Sequence, residues 1–197
     1  MEIVRLRDDQ IGEASAVLAR AFFADPAWRW LIPDERRRAS VLPWLFRAGF
    51  EITAADVWTT AGPVVGCARW LPPGRPAVRV GVALRTFIAT PLRLREATSR
   101  FLAYGRALEA MRAEVANGPH WYLGGLGVDP ARQREGIGSA LLAPGIEGAT
   151  RDKVPCVLLT NDARNLPFYN RHGFEVALEG DKPPGAPHAW ALVRRPL

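Results

Sequence analysis

Lysine is almost missing from this 197-residue chain: Lys153 and Lys182 are its only two, and nearly all its positive charge is arginine. A nucleotide P-loop needs a lysine behind its glycines to reach the outer phosphates, and no glycine-rich stretch here carries one. Histidine and cysteine are sparse as well. His120, His172 and His188 stand apart, without the spacing of a metal site. Cys67 and Cys156 each sit inside an apolar run, which favours buried free thiols in a reducing cytoplasm over a disulfide or a metal pair. No apolar run approaches the roughly 18 residues of a membrane span. The longest, residues 41–58, is interrupted by Arg47, Glu51 and Asp56. The opening Met1-Glu2-Ile3-Val4-Arg5 lacks the apolar centre of a secretory signal. The expectation is a cytoplasmic protein with no metal and no membrane partner.

What is present suits one globular domain over residues 1–197, since 48% of the chain is hydrophobic and 23% charged. The net charge of +6 is scattered, with only Arg36-Arg37-Arg38 and Arg194-Arg195 clustered. It reads as solvated helix faces, and no nucleic-acid-binding module is recognisable.

Periodicity gives the order of elements. Residues 3–7 alternate apolar and charged and predict a first strand. Asp8 or Asp9 then caps a helix carrying Ile11, Leu18 and Phe22, which ends before Asp25-Pro26. A second helix is expected over 35–52, and strands over 57–60 and 64–71 form a hairpin turned at Ala61-Gly62-Pro63. Residues 78–115 predict two helices broken near Thr90-Pro91, with Leu84, Phe87, Leu92, Leu94, Phe101, Leu102 and Leu108 on their apolar face. A glycine-loaded strand at 120–128 precedes a helix reaching Asp152 and an apolar strand at 156–160. A short helix at 166–171 is closed by Gly173, and strands from Phe174 and over 189–193 finish the chain. Alternating strands and helices predict an α/β fold, a mixed sheet covered by helices.

One stretch carries chemistry, 131-ARQREGIGSALL-142. Glycines are poor helix formers, yet Gly136 and Gly138 stand where a helix begins. Amides at a helix N-terminus are unpaired and attract an anion, and a missing Cβ lets phosphate oxygens come close. The amides of residues 134–139 suit such a cradle, with Arg132 and Arg134 beside it. A dinucleotide fingerprint would need a third glycine or alanine after the first strand, and this turn follows a late one. A helix start merely relieved by glycine is the other reading.

Gln133-x-x-Gly136-x-Gly138 resembles the acyl-CoA pyrophosphate loop of the GNAT N-acetyltransferase superfamily. The flanking 121-WYLGGLGVDP-130 and 165-NLPFYNRHGF-174 resemble, in the same order, that family's strand beside the acetyl group and its asparagine–tyrosine segment. The combined pattern is most similar to the puromycin N-acetyltransferase-like branch. It covers residues 120–195, while residues 1–75 agree only in the order of elements.

The resemblance implies a GNAT fold of six to seven strands, splayed after the glycine-rich fourth strand. It implies transfer of acetyl from acetyl-CoA to a primary amine of a small molecule, such as an aminonucleoside antibiotic, by direct attack in a ternary complex. A protein amine acetyltransferase and a non-catalytic acyl-CoA sensor are the alternatives. Residues 120–195 would form the coenzyme-binding and catalytic part and residues 1–119 the substrate side, in a monomer or homodimer. Gln133, Arg134, Glu135, Gly136, Ile137, Gly138 and Ser139 would hold the pyrophosphate. Leu126, Gly127 and Val128 would pair with pantetheine, and the Val128 amide would polarise the thioester. Tyr169 would be the general acid, with Phe168 beside it and Asn165 as helix cap or pantetheine ligand. Glu135, next to a diphosphate, must point outward or pair with Arg132. Relatives carry an acid in the place of Leu159, so the base falls to Asp162, or else to His120, Glu51 or Asp56. Trp28 and Trp44, with Trp30 and Phe50, are the candidates for the substrate pocket.

Overall fold

The computed structural model describes residues 1–52, 56–74, 80–181 and 183–196, and of Val82 the backbone alone. The expected helix start at residues 78 and 79 lies outside these. Strands β1 (Ile3–Arg5), β2 (Asp56–Thr60), β3 (Gly66–Leu71) and β4 (Trp121–Val128) form an antiparallel meander. β5 (Cys156–Thr160) runs parallel to β4, and β7 (His188–Arg194) inserts between β5 and β6 (Glu175–Asp181). The order is β1-β2-β3-β4-β5-β7-β6, the expected mixed sheet with the glycine-rich strand fourth.

The parallel step from β4 to β5 requires a crossover, supplied by α6 (Ile137–Asp152). α6 lies close on the sheet because Gly145 and Gly148 carry no side chain. A Cβ on either would fall 2.1 Å from the Trp70 indole and 2.5 Å from that of Trp121. These tryptophans, with Leu141, Leu142, Leu158 and Phe174, are the main core.

The sheet opens after Leu123. β5 pairs with β4 only at Trp121, Tyr122 and Leu123, whereas β3 follows β4 as far as Val128. A bulge at the step between Arg69 and Trp70, which face Gly125 and Leu123, leaves Gly124 unpaired where the strands part.

Most helices stand where periodicity put them: α1 (Ile11–Ala21), α3 (Glu35–Ile52), α5 (Thr98–Val115) and α7 (Leu166–Arg171). Four local expectations need correction. Neither Asp8 nor Asp9 caps α1: the Gln10 carboxamide accepts from the Arg7 amide at 3.2 Å, while Asp9 pairs with the Arg7 side chain. Asp25-Pro26 does not simply end a helix but begins another, α2 (Pro26–Leu31). The break expected at Thr90-Pro91 falls later, because Pro91 rides inside α4 (Val80–Leu94) and the chain turns at Arg95, whose φ is 48°. Finally, Leu84, Phe87 and Leu92 do not face the core: they are exposed together with Val80 and Ile88, and Leu94 alone of the expected α4 residues is buried.

Candidate active site

The open side of β4 has a definite chemistry. The Asp129 amide donates to the Val65 carbonyl at 2.8 Å. Hydrogen-bonded and non-bonded pairs alternate along an antiparallel ladder. Val128 opposite Gly66, and Leu126 opposite Ala68, are therefore non-bonded pairs. Their amides and carbonyls point away from β3, toward the side that β5 does not reach. There the Val128 carbonyl accepts from Gln133 Nε2 at 3.3 Å. Gly124 and Gly127 are glycine for packing: a Cβ would lie 2.8 Å from the Arg69 guanidinium in one case and 2.6 Å from Leu18 in the other. At Gly125 the space is open.

The chain then enters the helix mouth. Asp129 caps the turn Pro130–Arg132 through the Ala131 amide at 3.1 Å and pairs with Arg20 of α1. Arg134, at φ 68°, and Gly136, at φ 80°, curl the backbone into a concave row of amides. Among the described residues, no backbone amide from 134 to 139 donates to another protein group. The two glycines differ. A Cβ on Gly136 would meet nothing within 4 Å, whereas one on Gly138 would lie 3.3 Å from the Phe168 ring. The row suits an anion; Gly136 is glycine for its left-handed backbone and Gly138 for the room that Phe168 needs. Glu135 turns aside to grip Arg132 at 2.8 Å, and that guanidinium holds its carboxyl below the usual range. Ser139 Oγ lies 2.9 Å from His172 Nε2; burial lowers the imidazole's pKa and keeps it neutral.

Mouth and open strand share one cavity of about 740 Å³. Leu126, Gly127, Val128, Gln133, Arg134, Gly136, Ile137, Gly138, Ser139, Asn165, Phe168 and Tyr169 all line it, so every residue expected at the coenzyme is there except Glu135. Arg132, Arg164 and Arg171 also border it, together with the end of α1 and the segment after it, Ala21, Phe22, Ala24 and Asp25.

Tyr169 is buried against Phe168 and Phe174, with ring centroids 5.1 and 6.0 Å away. Its hydroxyl has no hydrogen-bond partner among the described residues. Burial first, and the charge of Asp25 second, raise its pKa well above the ordinary phenol value, so it stays protonated. The Asn165 side chain does not cap α7: its Nδ2 donates to Thr160 Oγ1 at 3.1 Å. Asp162 lines the cavity but makes a poor base. The Arg164 guanidinium clasps it at 2.6–3.0 Å and lowers its pKa.

The remaining base candidates lie elsewhere. His120 precedes β4 and contacts the Gly118 carbonyl, Glu51 pairs with Arg47 and Arg85, and Asp56 is buried on β2 against Arg5. Leu159 packs on the cluster of Met111, Ala189 and Ala191. Nor do the expected substrate aromatics reach the cavity. Trp28 stacks on Phe46 and Phe101 at 5.7 and 6.3 Å, Trp44 lies under Arg93, Trp30 packs on Tyr104, and Phe50 belongs to the core with Leu18 and Val64. Large indoles here brace helices against one another.

Sequence reasoning missed Asp25. It caps α2, accepting from the amides of Ala27 at 2.9 Å and Trp28 at 3.3 Å, both through Oδ1. Burial pushes its pKa up to about 6, with the nearby Asp162 carboxylate adding to the rise and the two amide bonds and Arg164 opposing it. The signal was present in Asp-Pro, where a capping acid precedes a proline at the first helical position.

A sheet opened beside a row of unpaired helix-mouth amides thus shares one cavity with a protonated tyrosine. Residues 97–176 match the family described as the acetyltransferase (GNAT) domain. The chain is thus an acyltransferase, and its full length has the GNAT fold. It is similar to the histone acetyltransferase HPA2 and related acetyltransferase from Corynebacterium glutamicum ATCC 13032, at 22% identity over 99% of this chain and 96% of that one, with a TM-score of 0.68. It is also similar to the ribosomal-protein-S18-alanine N-acetyltransferase from Escherichia coli, at 17% identity over 98% and 92% of the two chains and TM-score 0.52. The paia N-acetyltransferase from Thermoplasma acidophilum, solved in complex with coenzyme A, aligns at 14% identity over 98% of both chains with TM-score 0.54. Among the described residues no helix is long and apolar enough to cross a membrane.

Proposed function

We propose that the protein transfers acetyl from acetyl-CoA to a primary amine of a small molecule, by direct attack in a ternary complex. One observation carries this reading: the outward backbone of Leu126 and Val128, the amides of residues 134–139 and Tyr169 border a single cavity. The coenzyme supplies the acetyl group as a thioester; the protein supplies placement and charge. The helix-mouth amides, with Arg134 and Arg171, hold the diphosphate. Leu126 and Val128 pair with the amides of the pantetheine arm as a neighbouring strand would. The outward Val128 amide stabilises negative charge growing on the thioester oxygen. Tyr169, kept neutral by burial, donates a proton to the departing sulfur. Phe22, Ala24 and Asp25, from the segment after α1, line the same cavity and offer a place for the acceptor. An aminonucleoside is the acceptor class the sequence pattern suggests.

The test is release of free thiol from acetyl-CoA with a panel of primary amines that includes puromycin, run on the wild type and on Tyr169→Phe. The variant should lose about 100-fold or more in turnover. Its melting temperature should still rise with CoA as the wild type's does. Undiminished turnover in Tyr169→Phe removes its role as acid. Absence of both thiol release and a CoA-induced melting shift removes the whole reading, and acetyl appearing only on a protein would replace the acceptor class.

A further inference from the structure

We propose that Asp25 receives the acceptor's ammonium group and takes its proton, so that the site selects amines that arrive as cations. The inference rests on the acyl-transfer reading above and adds the acceptor's charge and the missing base.

Geometry comes first. Asp25 and Tyr169 line the same cavity, and the tyrosine registers the aspartate's charge. Both capping bonds of Asp25 fall on Oδ1, and Oδ2 has no partner among the described residues. The charged and titratable groups facing it are Asp162 and Arg164 before α7, Tyr104 on α5 and Tyr169 on α7. None neutralises it. Arg164 is clasped to Asp162 at 2.6 Å, and the Tyr104 hydroxyl donates to Asn161 Oδ1. Asn161 in turn donates to the His188 carbonyl at 2.9 Å and is held in place. Two carboxylates thus share one guanidinium here, and Arg132, Arg134 and Arg171 line the same cavity. One cavity therefore offers unpaired amides to an anion and the Asp25 carboxylate to a cation.

The chemistry balances. The ammonium gives one proton to the Asp25 carboxylate and becomes a free amine. Its lone pair forms the C–N bond as the C–S bond breaks. Sulfur takes a proton from Tyr169, which recovers one from the nitrogen, and Asp25 releases its own to solvent. Ammonium and thioester become amide, thiol and one proton. A carboxyl held near pH 6 by burial is ionised at neutral pH yet basic enough to take part.

Asp25→Asn is the informative variant, because asparagine caps a helix about as well as aspartate and the fold is kept. Two probes separate the roles: 2-phenylethylamine, a cation at neutral pH, and p-anisidine, which is already neutral. For phenylethylamine, wild-type kcat/KM should rise with pH through about 6. In Asp25→Asn that rise should vanish and the rate fall about 100-fold or more, with anisidine affected only a few-fold. Independently of turnover, the 13C signal of the Asp25 carboxyl in the CoA complex should titrate near 6, and at lower pH once phenylethylamine is added. Equal loss with both amines, or an ordinary carboxylate titration, overturns the proposal. If neither probe is turned over, the titration and its response to phenylethylamine decide alone. The CoA-induced melting shift of the variant tells the two failures apart: intact, it leaves acyl transfer standing without Asp25; missing from the wild type as well, it removes acyl transfer itself.

Discussion

Asp25 holds two roles that pull in opposite directions. As a cap it satisfies two amides of α2, and as a shielded acid it is held ionised where water is scarce. Its pKa rises from 3.8 in the free side chain to about 6 in the fold. A raised carboxyl pKa favours the native state fully below about 3.8, where both states are protonated, and that advantage disappears as pH rises through 6. At neutral pH the ionised side chain therefore costs the fold about 3 kcal/mol. Asp25→Asn should raise stability in urea by up to about that amount near pH 7.5. The gain should shrink steadily as pH falls toward 4. A gain of the same size at both ends of that range would show that the carboxylate carries no such penalty. Tyr169 and Asp25 also show what a sequence discloses at this scale. The tyrosine sits in a local motif, Asn165-x-x-x-Tyr169, and was legible. The acid's strength depends first on burial and then on Asp162 and Arg164, which folding brings from the segment before α7, and no local pattern announces it.

Between residue and fold, the same letter often serves different elements for different reasons. Gly136 and Gly138 read alike in the sequence, two poor helix formers at a helix start. In the structure Gly136 supplies a left-handed φ and an open mouth, and Gly138 supplies room for Phe168 of α7. Gly136→Ala should cost about 1–2 kcal/mol through backbone strain and weaken CoA several-fold beyond any effect on folding. Gly138→Val should act mainly on packing, lowering the melting temperature by displacing Phe168 from α6, with CoA affinity falling in step. Thermal melts and CoA titrations on the two variants check this, and a Gly138→Val protein that melts like the wild type would remove the packing account. The arginine run 36–38 makes the same point. It read as a solvated charge cluster, yet Arg38 is 2% exposed and donates to the carbonyls of Phe23, Ile32 and Pro33, clamping both ends of the segment that carries α2. The hairpin at Ala61-Gly62-Pro63 was legible because turn chemistry is local. The end of α4 was not, because Pro91 is tolerated inside the helix and the turn is made at Arg95, an ordinary residue in a left-handed conformation.

At the scale of the molecule, a net charge of +6 spread along the chain gave no sign of a binding surface. Folding changes that by bringing Arg132, Arg134, Arg164 and Arg171 to one cavity. Two of the four are engaged, Arg132 by Glu135 and Arg164 by Asp162, and the field at the helix mouth comes chiefly from Arg134, Arg171 and the backbone amides. The diphosphate proposed to lie in this field is partly solvated, and the field is screened over about 10 Å at 0.1 M salt and about 3 Å at 1 M. The contacts proposed for Leu126 and Val128 are hydrogen bonds to an uncharged arm and should ignore salt. Binding to the native state alone stabilises by mass action, about 2.7 kcal/mol at 100 times the dissociation constant. The melting shift at fixed ligand concentration therefore reports affinity. CoA should give a shift that shrinks clearly from low salt to about 0.5 M sodium chloride. Pantetheine, which has the arm and no phosphates, should give a smaller shift that salt leaves unchanged. If the CoA shift were equally insensitive, the arginines and amides at the mouth of α6 would not be holding its phosphates, and the coenzyme would have to lie elsewhere on the open sheet.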